Sequence, residues 1–145
     1  QWEYACRANT TTPWWFGGDP RQMTRADNCL DRRGLILIGR RPGDAADDGF
    51  ALHAPVGSFA ANPFGLHDLY GNVAEWCRDP ICSYAAVAPR RGDGLRTRAE
   101  VRGRCLRGGS LASPATQARS ASRRAPLPGV RTYTHGLRPA RRLES

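Results

Sequence analysis

Asp68 and Glu75 close the two ends of an eight-residue span, Asp68-Leu69-Tyr70-Gly71-Asn72-Val73-Ala74-Glu75. Gly71-Asn72 in its middle is a turn signal, because both residue types tolerate positive φ. A turn there folds the span back, so that two carboxylates and the carbonyls between them can share one small volume. Hard cations such as calcium ask for that donor set. The same residues also fit a plain turn at a helix start, with Asp68 capping and Glu75 solvated. Taken alone, the plain turn is the better reading. A second acidic set lies upstream, at Asp27-Asn28-Cys29 and Asp47-Asp48-Gly49-Phe50. Asn28 and Asp48 offer side-chain oxygens there, while Cys29 and Phe50 offer carbonyls. Spacing alone favours a solvated acidic loop.

The elements that must position these residues are short. Residues 1–8 read as the end of an amphipathic helix, with Trp2 and Cys6 on one face and Glu3 and Arg7 on another. Thr10-Thr11-Thr12-Pro13 should stop it. Residues 19–49 read as loop, with one apolar run of strand length, Leu35-Ile36-Leu37-Ile38. Pro55–Phe59 reads as a short strand or extended segment, and Val101–Leu111 as a strand that ends at Gly108-Gly109. With 16 Gly and 11 Pro, the chain predicts a loop-rich α+β domain whose path is held by turns more than by helices. Such a fold needs something besides a large core to fix its loops, and bound cations are one candidate.

At 145 residues the chain is one domain's length, and it has no apolar run that could span a bilayer. It begins Gln1-Trp2 with neither an initiator Met nor a secretory pattern, and so is read as a fragment or processed product. The net charge of +9 is unevenly placed: residues 1–89 hold 8 Arg against 10 acids, residues 90–145 hold 14 Arg against 3. A basic face for phosphate or nucleic acid is the functional reading. These arginines lack the clustered blocks and interleaved aromatics of a nucleic-acid platform, which places that partner well behind. The five cysteines (Cys6, Cys29, Cys77, Cys82, Cys105) show no metal-ligand spacing. Their odd number points to mostly reduced, buried thiols and hence to a cytoplasmic chain. Cys77 and Cys82 are near enough in sequence for a bridge, though so short a loop is often strained.

Six ordered blocks resemble the sulfatase-modifying-factor family, whose founding members are the formylglycine-generating enzymes. They are Trp2–Ala8, Ala54–Phe59, Asn62-Pro63-Phe64-Gly65-Leu66 running on through Gly71–Trp76, Arg107-Gly108-Gly109-Ser110, Arg119–Arg123 and Gly136-Leu137-Arg138. The resemblance implies a variant of the C-type lectin fold, braced by calcium, with this chain as the C-terminal half of a longer domain. It implies a first calcium site at Asn28, Cys29 (carbonyl), Asp48 and Phe50 (carbonyl). A second would use Asp68, Gly71 (carbonyl), Val73 (carbonyl) and Glu75. Arg107, Arg119, Arg123 and Arg138 fall on family positions where guanidinium forks satisfy loop carbonyls and carboxylates.

The family's enzymes oxidise a sulfatase cysteine to formylglycine with copper and oxygen, and two enzyme cysteines bind the copper(I), a soft ion that selects thiolates. Ser110 and Ser113 stand at family active-site positions, Ser113 at that of the first cysteine, and no Cys follows residue 105. Copper and formylglycine generation are therefore not expected. Other branches of the family lack the cysteine pair. One comprises the targets of diversity-generating retroelements, whose C-terminal surface is varied by reverse transcription. Two readings of different class stand: an enzyme-family domain, or a non-catalytic binding module that displays residues 111–135 to a protein or peptide ligand.

Overall fold

A computed structural model describes residues 1–96 and 103–141. Helix α1, Trp2–Arg7, forms as the 1–8 pattern predicts, with Glu3 and Arg7 paired at 2.9 Å across one turn. It stops earlier than the threonines, because Ala8 and Asn9 take positive φ (46° and 69°). Ala8 then caps the helix by donating to the Tyr4 carbonyl. Asp19 accepts from the Arg21 N–H to start a 3-10 turn, Pro20–Gln22, that leads into the single-turn helix α2, Met23–Ala26.

Two expected elements are corrected. Residues 19–49, read as loop, hold the 3-10 turn, α2 and a further helix: within the apolar run of strand length, Leu35–Leu37 end helix α3, Arg32–Leu37, and Ile38 caps it. Asp31 starts that helix by accepting the Gly34 N–H at 2.9 Å, a capping signal that outweighs the strand preference of Ile36 and Ile38. Ile36, Leu37 and Ile38 are each more than half exposed, so no sheet partner favoured the extended form. Pro55–Phe59 is a turn, closed by the Ser58 N–H on the Pro55 carbonyl at 3.2 Å.

A three-stranded sheet has the order β2-β1-β3, where β1 is Ala74–Pro80, β2 is Arg104–Arg107 and β3 is His135–Gly136. β2 runs antiparallel to β1, with Glu75 opposite Arg107 and Trp76 opposite Leu106, while β3 is parallel. Val101 and Arg102 of the predicted strand lie outside the described residues. The strand ends at the Gly pair as expected: a Cβ at Gly109 would meet the Ala118 methyl at 2.8 Å. Glu75 thus sits in a strand and is buried, not solvated as the plain-turn reading has it.

The core lies between α1 and the loop that enters β1. Cys6, Trp14, Met23, Cys29, Leu69, Tyr70 and Ala118 form it, flanked by Trp2, Trp15 and Phe16. Tyr70 is fully buried, and its hydroxyl accepts from the Trp15 N–H and pairs with the Ser120 hydroxyl at 2.9 Å. Burying such a side chain stabilises by about 2–3 kcal/mol provided its polar tip is partnered, as here. Among the described residues no helix is long and apolar enough to cross a membrane.

Candidate functional site

The two acidic sets, far apart in the sequence, meet in one hydrogen-bonded junction. Asp27 is fully buried, and its carboxylate accepts the Tyr70 N–H at 2.5 Å and the Asn28 N–H at 2.9 Å. The Asn28 carbonyl accepts the Asn72 N–H at 2.7 Å. Cys29 donates its thiol to the Tyr70 carbonyl at 3.0 Å. The Asn28 amide donates to the Leu52 carbonyl at 2.7 Å and to the Asn72 side chain at 3.3 Å. Gly71 makes this contact possible through close approach, not through positive φ: a Cβ there would lie 2.0 Å from the Asn28 carbonyl oxygen. The left-handed residues of the turn are instead Asp68 and Asn72, both at φ 56°. Burial, with repulsion from Asp68 and Glu75 behind it, pushes the Asp27 carboxyl up to about 7 against its two N–H donors.

On the upstream side, Asp31, Asp47 and Asp48 bring carboxylate oxygens within 4.8 Å of one another. Asp31 accepts the Asp48 N–H at 2.9 Å in addition to its cap, and Asp48 accepts the Phe50 N–H at 2.9 Å. The second Asp48 oxygen, Oδ2, is buried without a hydrogen-bond partner among the described residues. Burial, then the Asp31 carboxylate, push Asp48 up to about 6. Asp47 differs, since it is tied at the surface to Arg33 at 2.6 Å. Of the residues expected here, Asn28 and Cys29 bond to the Tyr70–Asn72 turn, while Asp48 bonds to Asp31 and Phe50 to Asp48. Asp31 was not expected, although Asp31-Arg32-Arg33-Gly34 carries a helix-start signal that could have flagged it.

The downstream span is arranged differently. Both Glu75 oxygens are engaged, Oε2 by the Trp2 indole N–H at 2.6 Å and Oε1 by Arg138 Nε at 2.8 Å. Arg138 also donates to the His67 and Asp68 carbonyls at 2.9 and 2.8 Å, and Asp68 Oδ2 accepts the Gly57 N–H at 2.7 Å. A guanidinium thus bridges the carboxylate and the carbonyls at the two ends of the span. Burial still leaves the Glu75 carboxyl raised, the Trp2 and Arg138 bonds offsetting it only in part. Nothing in the local sequence announces Trp2, which is 73 positions away from Glu75.

Ser110 and Ser113 are both buried, and their hydroxyls lie 3.3 Å apart. The Ser113 hydroxyl accepts the Ser110 N–H at 3.1 Å, and the Ser113 carbonyl accepts the Leu30 N–H at 3.0 Å. This pair is knit into the wall of the junction. Arg107 is likewise spent internally: Nη1 donates to the Ser120 and Ser122 carbonyls, and Nη2 to Glu3 at 2.8 Å and to the Tyr84 hydroxyl at 3.1 Å.

The model of the sulfatase-modifying factor enzyme 1-like domain matches residues 1–143. The chain belongs to this family. The formylglycine-generating enzyme of Streptomyces coelicolor is 35% identical over 115 residues, which cover 76% of this chain and 33% of that enzyme. PvdO from Pseudomonas aeruginosa superposes with a TM-score of 0.75 at 27% identity, over 94% of this chain and 48% of PvdO. Variable protein 1 of Treponema denticola gives 0.70 at 27% identity, over 94% of this chain and 43% of that protein. The chain spans half or less of the length of these relatives. This sulfatase-modifying-factor domain has their loop-rich, C-type-lectin-like fold, with a small sheet and few helices. Within it, Arg107, Arg123 and Arg138 are committed to carbonyls and carboxylates of this same chain, Arg123 to the Cys82 carbonyl at 2.9 Å. Arg119 is exposed.

Proposed function

We propose that this sulfatase-modifying-factor domain is a non-catalytic, calcium-braced scaffold that presents residues 111–135 to a protein or peptide ligand. The observation that carries the reading is the buried Ser110–Ser113 pair. A soft copper(I) ion needs thiolates, and two enclosed hydroxyls already bonded to each other and to the backbone do not fit it. Around that buried pair the segment faces solvent: Ala112, Arg124, Ala125, Thr132 and Tyr133 are exposed, Tyr133 by 64%. The likeness to a protein named a variable protein supports display of this stretch. The internal commitments of Arg107, Arg123 and Arg138 speak against a nucleic-acid partner. Incubating the protein with copper(I), oxygen and a Cys-x-Pro-x-Arg peptide should leave the peptide mass unchanged. Aldehyde formation would overturn the reading in favour of the family's oxidation of a sulfatase cysteine.

The upstream loops fit calcium, because Asp48 Oδ2 is a buried oxygen without a donor among the described residues, beside a second carboxylate. Asn28, the Cys29 carbonyl, Asp48 and the Phe50 carbonyl would hold the ion, with Asp31 and Asp47 adding charge. The second set, Asp68, Gly71, Val73 and Glu75, would take a cation only if Glu75 exchanged Arg138 for it. Calcium added to chelated protein should raise its melting temperature. Binding to the folded state alone is worth about 2.7 kcal/mol at one hundred times the dissociation constant. Asp48→Asn should lose most of that rise, and an unchanged melting curve for the parent protein would remove calcium from the account.

A further inference from the structure

Three of the five cysteines, Cys77, Cys82 and Cys105, line one cleft of about 820 Å³, together with Trp2, Glu3 and Arg107. Residues of α1 line it as well, and Ser110 and Ser113 are not part of its lining. All three are free thiols; Cys105 is buried, while Cys77 and Cys82 are half-buried. The strand register limits which of them can meet. Glu75 faces Arg107 and Trp76 faces Leu106, and the next pair in register is Pro80 with Arg104. Cys105 is the one β2 residue between Leu106 and Arg104, so it must lie opposite the bulged stretch that begins at Cys77. Side chains two apart on a strand share a face. Glu75 and Arg107 both point to α1, bonding Trp2 and Glu3. Cys77 opens the irregular three-residue stretch that faces Cys105; both line the same cleft, and Cys105 is near enough to be the second-largest influence on the Cys77 thiol after burial. A disulfide spans Cα separations of about 4.4–6.8 Å, a looser requirement than regular ladder pairing and one that a locally bent strand can meet.

We propose that Cys77 and Cys105 form a dithiol site that reacts with small-molecule disulfides to give a cross-strand bond between β1 and β2. The half-buried Cys77 thiolate attacks one sulfur of the oxidant, forming a mixed disulfide and releasing one thiol. The buried Cys105 thiolate then attacks the Cys77 sulfur and expels the second thiol. Two protons and two electrons leave the protein, and one disulfide becomes two thiols. Burial, and next the Cys105 thiol itself, push Cys77 up to about 12, so the attack is slow at neutral pH and quickens in alkali. Cys82 is the competing partner, because its sulfur also lies near Cys105.

The test uses oxidised glutathione at alkaline pH, followed by thiol-blocked digestion at arginine and mass analysis. Cleavage separates the three thiols: Cys77 ends a peptide at Arg78, Cys82 lies within Asp79–Arg90, and Cys105 is in the tripeptide Cys105-Leu106-Arg107. The expected product is a monomer two hydrogens lighter, with the tripeptide joined to the peptide that ends at Arg78, and its yield should rise with pH. A link through Cys82, a dimer, stable glutathione adducts without a link, or no reaction would each overturn the proposal. In Cys105→Ser, the glutathione adduct should instead persist on Cys77. Should that variant fail to fold, the peptide map of the unaltered protein decides alone.

Discussion

Gly71→Ala should cost at least about 3 kcal/mol and lower the melting temperature by about 10 °C or more. The added Cβ would sit 2.0 Å from the Asn28 carbonyl oxygen and 3.1 Å from Asp27 Oδ1, and the first contact is with backbone, which has nowhere to go. Relief requires parting the two loops. That would break the Asn72-to-Asn28 bond of 2.7 Å and strain the Asp27-to-Tyr70 bond beside it. Each broken bond leaves buried polar groups without partners, at about 1–3 kcal/mol apiece. Gly129→Ala is the matched control, since no heavy atom of the described residues lies within 4 Å of where its Cβ would stand. Thermal unfolding followed by circular dichroism decides the matter: equal melting of the two variants would mean that the junction does not hold the fold together.

Arg107→Met should destabilise by about 3 kcal/mol, because it strands several acceptors at once. The side chain is 8% exposed and serves two carbonyls, the Glu3 carboxylate and the Tyr84 hydroxyl. Arg107→Lys should recover only part of the loss, since an ammonium group cannot reproduce the planar fork. Burial raises the Glu3 carboxyl, but the bonds to Arg107 and Arg7 outweigh it and hold the group below its ordinary value. A depressed carboxyl contributes stability that is present above its unfolded-state value and lost as pH falls through the folded one. The parent protein should therefore lose stability below about pH 4, and Arg107→Met should lose less across that window. Urea unfolding of both proteins at neutral and acid pH measures it. Parallel pH profiles would show that the Glu3–Arg107 pair contributes nothing.

The strongest local signals in the sequence were those that need only neighbours along the chain. The 1–8 pattern became α1 with its Glu3–Arg7 pair, and the Gly pair at 108–109 ended β2 where expected. Leu35–Ile38 misled because a short apolar run carries no record of whether a sheet edge awaits it. The Asp31 cap started a helix instead. Pro55–Phe59 misled for the related reason that an extended reading presupposes a partner strand. At the site, Asn28, Asp48, Asp68 and Glu75 were legible as oxygen donors by residue type. Asp31 and Trp2 were not, the first because its capping role hid its place beside Asp48, the second because only folding carries it across to Glu75.

The Asp68–Glu75 span shows where that division falls. Its residue types, together with their ordered companions along the chain, were enough to determine the family and the loop-rich fold. Those are matters of which atoms the chain carries. Tertiary structure decided what answers each charge. Both Glu75 oxygens meet Trp2 and Arg138, whereas Asp48 keeps one buried oxygen without a donor among the described residues. The physical reason is that a carboxylate's partner is set by which distant donors the fold brings within about 3 Å, and a one-dimensional spacing does not encode that reach.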